Sequence, residues 1–152
     1  MIVAIDFGIT NTDVAVSNKS QYKFFSIPSK NANESFIDEI ISLVDIDITE
    51  ISQIVVTGGK SNELNESFKG VNLTKISETD AIGYGTKEIY KIENEPFITL
   101  SCGTGTACIH HQDGQFSYIG GIAVGGGTIS GLSKAILDSS SLEEITDLAL
   151  KG

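Results

Sequence analysis

Cysteine is scarce in this chain, with Cys102 and Cys108 its only two thiols. Their number and spacing do not match a zinc site. His110 and His111 follow closely, but adjacent residues on a strand point to opposite faces, so these four read as structural thiols and ordinary strand histidines. Basic residues are few as well, ten against twenty acidic ones, for a formal net charge of −10. A nucleic-acid surface needs the opposite balance. The same charge is compatible with a nucleotide, which is held by local dipoles and metal ions rather than by overall charge. No apolar run approaches the ~20 residues of a membrane-spanning helix. Residues 1–7 start a strand and lack the basic beginning of a secretory signal, which reads as cytoplasmic. No low-complexity tract or long linker interrupts the chain.

What the chain does have is a repeated phrase. Residues 2–16 read IVAIDFGITNTDVAV and residues 97–110 read FITLSCGTGTACIH, and a shift of 95 positions places Gly103 on Gly8. Each is an apolar run, a turn rich in Gly and Thr, and a second apolar run. Such a hairpin turn offers bare backbone N–H groups and hydroxyls, which suit a phosphate oxygen. Two of them facing each other would clamp a nucleotide's phosphates. Asp6 closes the first strand and suits a magnesium ion, with Gly8 allowing close backbone approach and Thr10 and Thr12 donating hydroxyls. The second turn, Gly103-Thr104-Gly105-Thr106, has Ser101 where the first has Asp6. Taken alone, the first turn is also an ordinary hairpin with turn-forming Asn and Gly. Two better-known motifs fail. Gly59-Lys60-Ser61 lacks the glycine a P-loop needs at 54, and Gly103-x-Gly105 lacks the glycine a dinucleotide fingerprint needs at 108.

Length and composition allow one good core, or one and a fraction domains; 40% hydrophobic and 20% charged residues read as globular. Strands are expected at 2–7, 12–17 and 21–27. Asn31 with Glu34 forms a capping box ahead of a helix carrying Phe36, Ile37, Ile40, Ile41 and Val44. A strand at 54–57 runs into Gly58 and Gly59, followed by a short helix at 62–68 and a strand at 71–76. A helix at 79–92 presents Ile82, Ile89 and Ile92. The second hairpin occupies 97–101 and 105–110, and Asp113-Gly114 turns into a strand at 115–119. A helix opens at Gly125–Gly127 and runs to about Leu137. The last helix is capped by Ser140 or Ser141, with Leu142, Ile145 and Leu148 on its apolar side. The pattern predicts an α/β fold, a mixed sheet flanked by helices.

Two further segments carry chemistry. Ser77-Glu78-Thr79-Asp80 stands at a strand-to-helix junction, where a carboxylate serves as helix cap, as general base, or as both. Gly120-Gly121 and Gly125-Gly126-Gly127-Thr128 precede a helix, either as an anion site or as a place of close helix packing.

IDFGITNTD, VVTGG, ETDAIGYG, GTGTA, GGIAVGGGTISGL and LEEITDLALKG, in this order, resemble a type II pantothenate kinase of the actin-like ATPase superfamily. The resemblance implies an actin-like ATPase (ribonuclease H-like) lobe at 1–93 and the start of a second lobe at 94–152. It implies ATP-dependent phosphorylation of pantothenate to 4'-phosphopantothenate, the first step towards coenzyme A, in a cytoplasmic enzyme that is a homodimer at full length. Asp6 would hold Mg2+; Gly8, Thr10 and Asn11 would form the first phosphate loop, and Gly103, Thr104, Gly105 and Thr106 the second. Glu78 would be the catalytic base, and Thr104, Tyr118, Gly121 and Gly126 would meet the substrate. Family members continue for another half lobe, so the chain reads as the amino-terminal portion of a kinase. It departs from the family pattern at Asp13, where a lysine is usual, at Tyr118, where an arginine is usual, and at Ala107, where a hydroxyl residue is usual. Three alternatives stand beside this reading: a non-kinase ATPase that regulates or reactivates a partner protein, a hydantoinase-like subunit, and a related sugar or amide kinase.

Overall fold

A computed structural model describes residues 1–18 and 21–152, with the side chain of Leu142 also outside the described set. The chain divides into two compact units, Met1–Ala81 and Ile82–Gly152.

The first unit opens with β1 (Ile2–Phe7), β2 (Asn11–Asn18) and β3 (Gln21–Pro28), an antiparallel meander. After α1 (Glu34–Leu43) come β4 (Gln53–Thr57), β5 (Ser67–Phe68) and β6 (Val71–Lys75). The six-stranded sheet has the order β3-β2-β1-β4-β6-β5, with β4 parallel to both β1 and β6. This is the expected mixed sheet. Strand alternation sorts its residues onto two faces. Val3, Ile5 and Phe7, Val14 and Val16, and Ile54 and Val56 are buried in one cluster with Phe36, Ile37, Ile40 and Ile41 of α1. Phe7 and Phe36 meet at 6.1 Å between ring centroids. The other face carries Ala4 and Asp6, Asp13 and Ala15, Phe24 and Ser26, and Val55 and Thr57 in cross-strand register.

Two local expectations change. The α1 cap is Asn33 rather than Asn31: its extended backbone (φ −153°, ψ 170°) lets its side chain accept from Phe36 N at 2.9 Å. The helix expected at 62–68 is instead a 3₁₀ turn at Gly59–Glu63 followed by β5. Lys69 (φ 46°) and Gly70 (φ 84°) both take positive φ, the backbone of a tight hairpin turn, and pairing with β6 buries Phe68.

The second unit contains most of α2 (Glu78–Tyr90), then β7 (Phe97–Cys102), β8 (Thr106–Gln112), β9 (Gln115–Ile122), α3 (Gly126–Leu137) and α4 (Leu142–Lys151). The three strands form an antiparallel sheet in sequence order. Asp113 (φ 53°) and Gly114 (φ 75°) make the predicted turn. Of the apolar side expected for α2, Ile82 and Ile92 are half-buried and Ile89 is exposed. The buried contact of α2 is Gly83, where a Cβ would stand 2.2 Å from Phe116 Cδ1. Tyr84 meets the same ring edge-on at 4.8 Å. His111, fully buried, stacks on Phe97 at 4.8 Å and holds the Glu95 carbonyl through Nδ1 at 3.1 Å, a structural role as expected. Ser141 caps α4 through Glu144 N at 3.3 Å, Ile145 is half-buried and Leu148 exposed. Among the described residues no helix is long and apolar enough to cross a membrane.

Gly83→Ala is expected to destabilise the second unit by roughly 1–3 kcal/mol, because the methyl must displace an aromatic ring. Asn33→Ala is expected to cost the first unit about 1 kcal/mol through its lost cap. Urea unfolding of each variant beside the parent chain measures both.

Candidate functional site

In the first unit the site residues converge where β1 ends. Gly8 begins the turn to β2, and a Cβ there would stand 2.5 Å from Asn11 O, so this turn accepts only glycine. Ser29 ties the turn down from outside the motif. Its hydroxyl donates to Gly8 O at 2.6 Å and its N–H to Thr10 O at 3.0 Å. Thr12 is fully buried with its hydroxyl 3.2 Å from that of Ser29, so it braces the turn and does not face a ligand. Thr10 and Asn11 remain on the exposed side. Sequence reasoning missed Ser29; no local motif marks it, and only the β2–β3 pairing of Asn11 with Pro28 carries it there.

Gly58, at the end of β4, backs the same point. It has φ 92°, and a Cβ would lie 2.5 Å from Phe7 O and 2.9 Å from Phe7 N. Its carbonyl accepts the buried Ser61 hydroxyl at 2.7 Å. This close approach brings Thr57 beside Asp6 in parallel register, while Asp13 is the antiparallel partner of Asp6 on its other side. Asp6, Asp13 and Thr57 line a groove of about 590 Å³ with Ala15, Phe24 and Ile76. Partial burial, then Glu78, then Asp13 push the Asp6 carboxyl above its ordinary value of 3.8.

Glu78 is the first residue of α2. Ser77 and Asp80 cap that helix reciprocally. Asp80 N donates to Ser77 Oγ at 3.0 Å, and Ser77 Oγ donates to Asp80 Oδ2 at 2.7 Å. Asp80 is therefore occupied as a cap, whereas the exposed Glu78 carboxylate takes no part in it and lies close enough to Asp6 to raise its pKa.

The donor set fits a hard cation. Asp6, Asp13 and Thr57 offer only oxygen, and Thr57 Oγ1 is a buried hydroxyl without a hydrogen-bond partner. Among the described residues no three carboxylate, imidazole or thiol side chains converge on one point. That leaves most positions of an octahedral Mg2+ to water and phosphate, the usual arrangement for this ion.

In the second unit the GTGT turn and the head of α3 are stitched together through backbone. Gly126 N donates to Gly103 O at 2.8 Å and Gly127 N to Thr104 O at 3.2 Å. A Cβ at Gly125 would stand 2.7 Å from Gly105 C, and one at Gly127 2.7 Å from Thr104 Cγ2. The glycines thus serve close packing, and two helix-head amides expected to face an anion are spent on the loop. Thr106 Oγ1 donates to Val124 O at 2.8 Å, closing the same junction. On β9, Cys108 pairs with Gly120 and Ile109 with Tyr118, leaving Ile119 as a bulge. The bulge lays the exposed Tyr118 over Gly121, where a Cβ would meet the Tyr118 hydroxyl at 2.4 Å. Thr104, Tyr118, Gly121 and Gly126 thus lie around one loop junction of this unit.

The chain matches the Fumble family model over residues 8–152. It is 32% identical over 156 residues to the type II pantothenate kinase of Bacillus anthracis, which covers 99% of this chain and 54% of that protein. To the type II pantothenate kinase of Staphylococcus aureus it is 28% identical over 156 residues, covering 100% of this chain and 55% of that protein. The chain thus spans about half the length of these curated relatives. Among solved structures it is similar to the activator of the 2-hydroxyisocaproyl-CoA dehydratase from Clostridium difficile with bound ADPNP. The TM-score is 0.63 at 16% identity, over 90% of this chain and 52% of that one. It is also similar to a ROK family glucokinase from Streptomyces griseus in complex with glucose and AMPPNP. There the TM-score is 0.55 at 11% identity, over 76% of this chain and 46% of that one. These likenesses show the fold, an actin-like ATPase arrangement with a mixed sheet and flanking helices. With the family model matched from Gly8 to the last residue, Gly152, the chain belongs to the Fumble family.

Proposed function

We propose that the chain carries the amino-terminal part of an ATP-dependent pantothenate kinase, transferring the γ-phosphoryl group of ATP to the primary hydroxyl of pantothenate. The observation that carries this reading is the state of Glu78. It stands at the head of α2 near Asp6, while Ser77 and Asp80 satisfy the cap without it. Glu78 is thereby the carboxylate left to orient the acceptor hydroxyl and accept its proton as the new O–P bond forms and the β–γ bridge breaks. Asp6 would hold Mg2+, which would neutralise charge on the phosphates. Gly8, Thr10 and Asn11 present the first loop to the phosphates, with Ser29 keeping it in shape. Gly103, Thr104, Gly105 and Thr106 form the second loop, and Thr104, Tyr118, Gly121 and Gly126 border the acceptor. Residues 1–93 would form the first lobe and 94–152 the start of the second. The type II pantothenate kinase names of the relatives support the reaction. The sequence resemblance supports a cytoplasmic homodimer.

Glu78→Gln is expected to lower transfer by roughly 10²–10⁴-fold while leaving ATP affinity within about twofold. The assay is pantothenate-dependent transfer of labelled phosphate by a protein of the relatives' length that contains this chain. Transfer at the parent rate by the Gln variant would place the base elsewhere.

The raised Asp6 pKa also sets a sign for stability. Folding holds the charged carboxylate at a disadvantage, so this group's contribution is fully present below 3.8 and is lost as pH rises through the raised folded value. Asp6→Asn is therefore expected to melt at a higher temperature than the parent chain at pH near 7 in cation-free buffer. The gap should close as the pH falls into the ordinary carboxylate range. Thermal melts across pH check it, and a lower melting temperature for the variant at neutral pH would contradict it.

A further inference from the structure

The groove on the open face of the six-stranded sheet has an unbalanced wall. Asp6 and Asp13 face each other across the β1–β2 ladder, where opposed side chains stand close together. Like charges placed directly opposite destabilise a sheet. No lysine is among the residues lining the groove, and Lys75, which pairs with Val56 on β4, donates to Asn62 O at 2.8 Å. Beyond Asp6, on the parallel side, Thr57 lines the same groove, and its Oγ1 is buried with no hydrogen-bond partner. Two adjacent carboxylates and an orphaned hydroxyl oxygen on one cross-strand row make an all-oxygen donor set with a deficit of positive charge. Such a set selects a hard divalent cation over a soft one.

We propose that Asp13 is a second carboxylate ligand, forming with Asp6 and the Thr57 hydroxyl a divalent-cation site on the open face of the first unit's sheet. The inference rests on the reading of Asp6 as the Mg2+-holding residue and extends it to Asp13 and Thr57 as direct ligands. It also gives a physical reason for an acidic residue at position 13, where the sequence resemblance leads one to expect a lysine. The cation would relieve the Asp6–Asp13 repulsion, so its binding and the stability of the first unit are coupled.

The test needs no turnover. Mn2+ is titrated into the 152-residue chain without nucleotide and followed by the paramagnetic resonance of free Mn2+, with melts recorded beside it. The parent chain is expected to bind one ion at this site and to melt higher with it. Loss of even an outer-shell partner costs a metal site roughly tenfold or more in affinity, so D13N is expected to weaken binding at least that much. D13K, which replaces the carboxylate with an ammonium group, should weaken binding at least as much as D13N, and T57V should weaken it less than D13N. Without cation, D13N should melt at or above the parent temperature, which separates a lost ligand from a lost fold. Parent-like Mn2+ affinity in D13N, with loss only in D6N, would overturn the role of Asp13 while leaving Asp6 as the magnesium holder. No Mn2+ binding by the folded parent chain would overturn the site itself. Neither result touches the assignment of Glu78, which is judged by the transfer assay.

Discussion

The close approach of Gly58 to the backbone of Phe7 is the constraint on which the first unit's site depends. With its φ of 92° and no side chain, Gly58 lets the end of β4 lie against the end of β1 at distances no Cβ tolerates. That contact keeps the parallel ladder in register as far as Asp6 and Thr57. Strand alternation then does the rest. Phe7 points down into α1, and Asp6 must point up into the groove. The pairing of Asp6 with Thr57 in the acidic row thus depends on a backbone contact between residues far apart in sequence.

The second unit uses glycine for a related but different end. There the loop carbonyls of Gly103 and Thr104 take the first amides of α3, and glycines at 125 and 127 let the two backbones touch. A helix head is normally an invitation to an anion. Here part of that capacity is spent on holding the loop, so what the loop can offer a ligand are its own amides and hydroxyls. The same economy shows at α2, where Ser77 and Asp80 close the helix between them and Glu78 is left for other work.

Much of this was legible from residue order alone. The strands at the start of the chain, α1 with its buried Phe36, Ile37, Ile40 and Ile41, the Asp113-Gly114 turn and the Gly-rich start of α3 all follow from period and turn chemistry. The misreadings have physical causes. Asn31 and Asn33 offer the same capping chemistry, and Asn33 is the one that stands directly before the first residue of α1, with an extended backbone. Asn62–Phe68 carries a helical pattern, yet pairing with β6 repays Phe68 better than a short isolated helix would. Of Ile82, Ile89 and Ile92, expected on the apolar side of α2, only Ile89 is exposed, and the Phe116 ring takes the room that Gly83 offers.

For the site, the sequence by itself determined which chemistry is available: carboxylates at 6, 13, 78 and 80, and two turns of Gly and Thr that recur 95 positions apart. It also carried, in order, the motifs that resemble a type II pantothenate kinase. What only the tertiary structure decided is how each of these is used. Thr12 went to the core, Asp80 to the helix cap, and Asp13 to the flank of Asp6, while Ser29, marked by no motif, became the brace of the first loop. The reason is that a side chain's type is a local property, but its partner and its face are set by strand register and by contacts between residues remote in sequence, and those exist only once the sheet has formed.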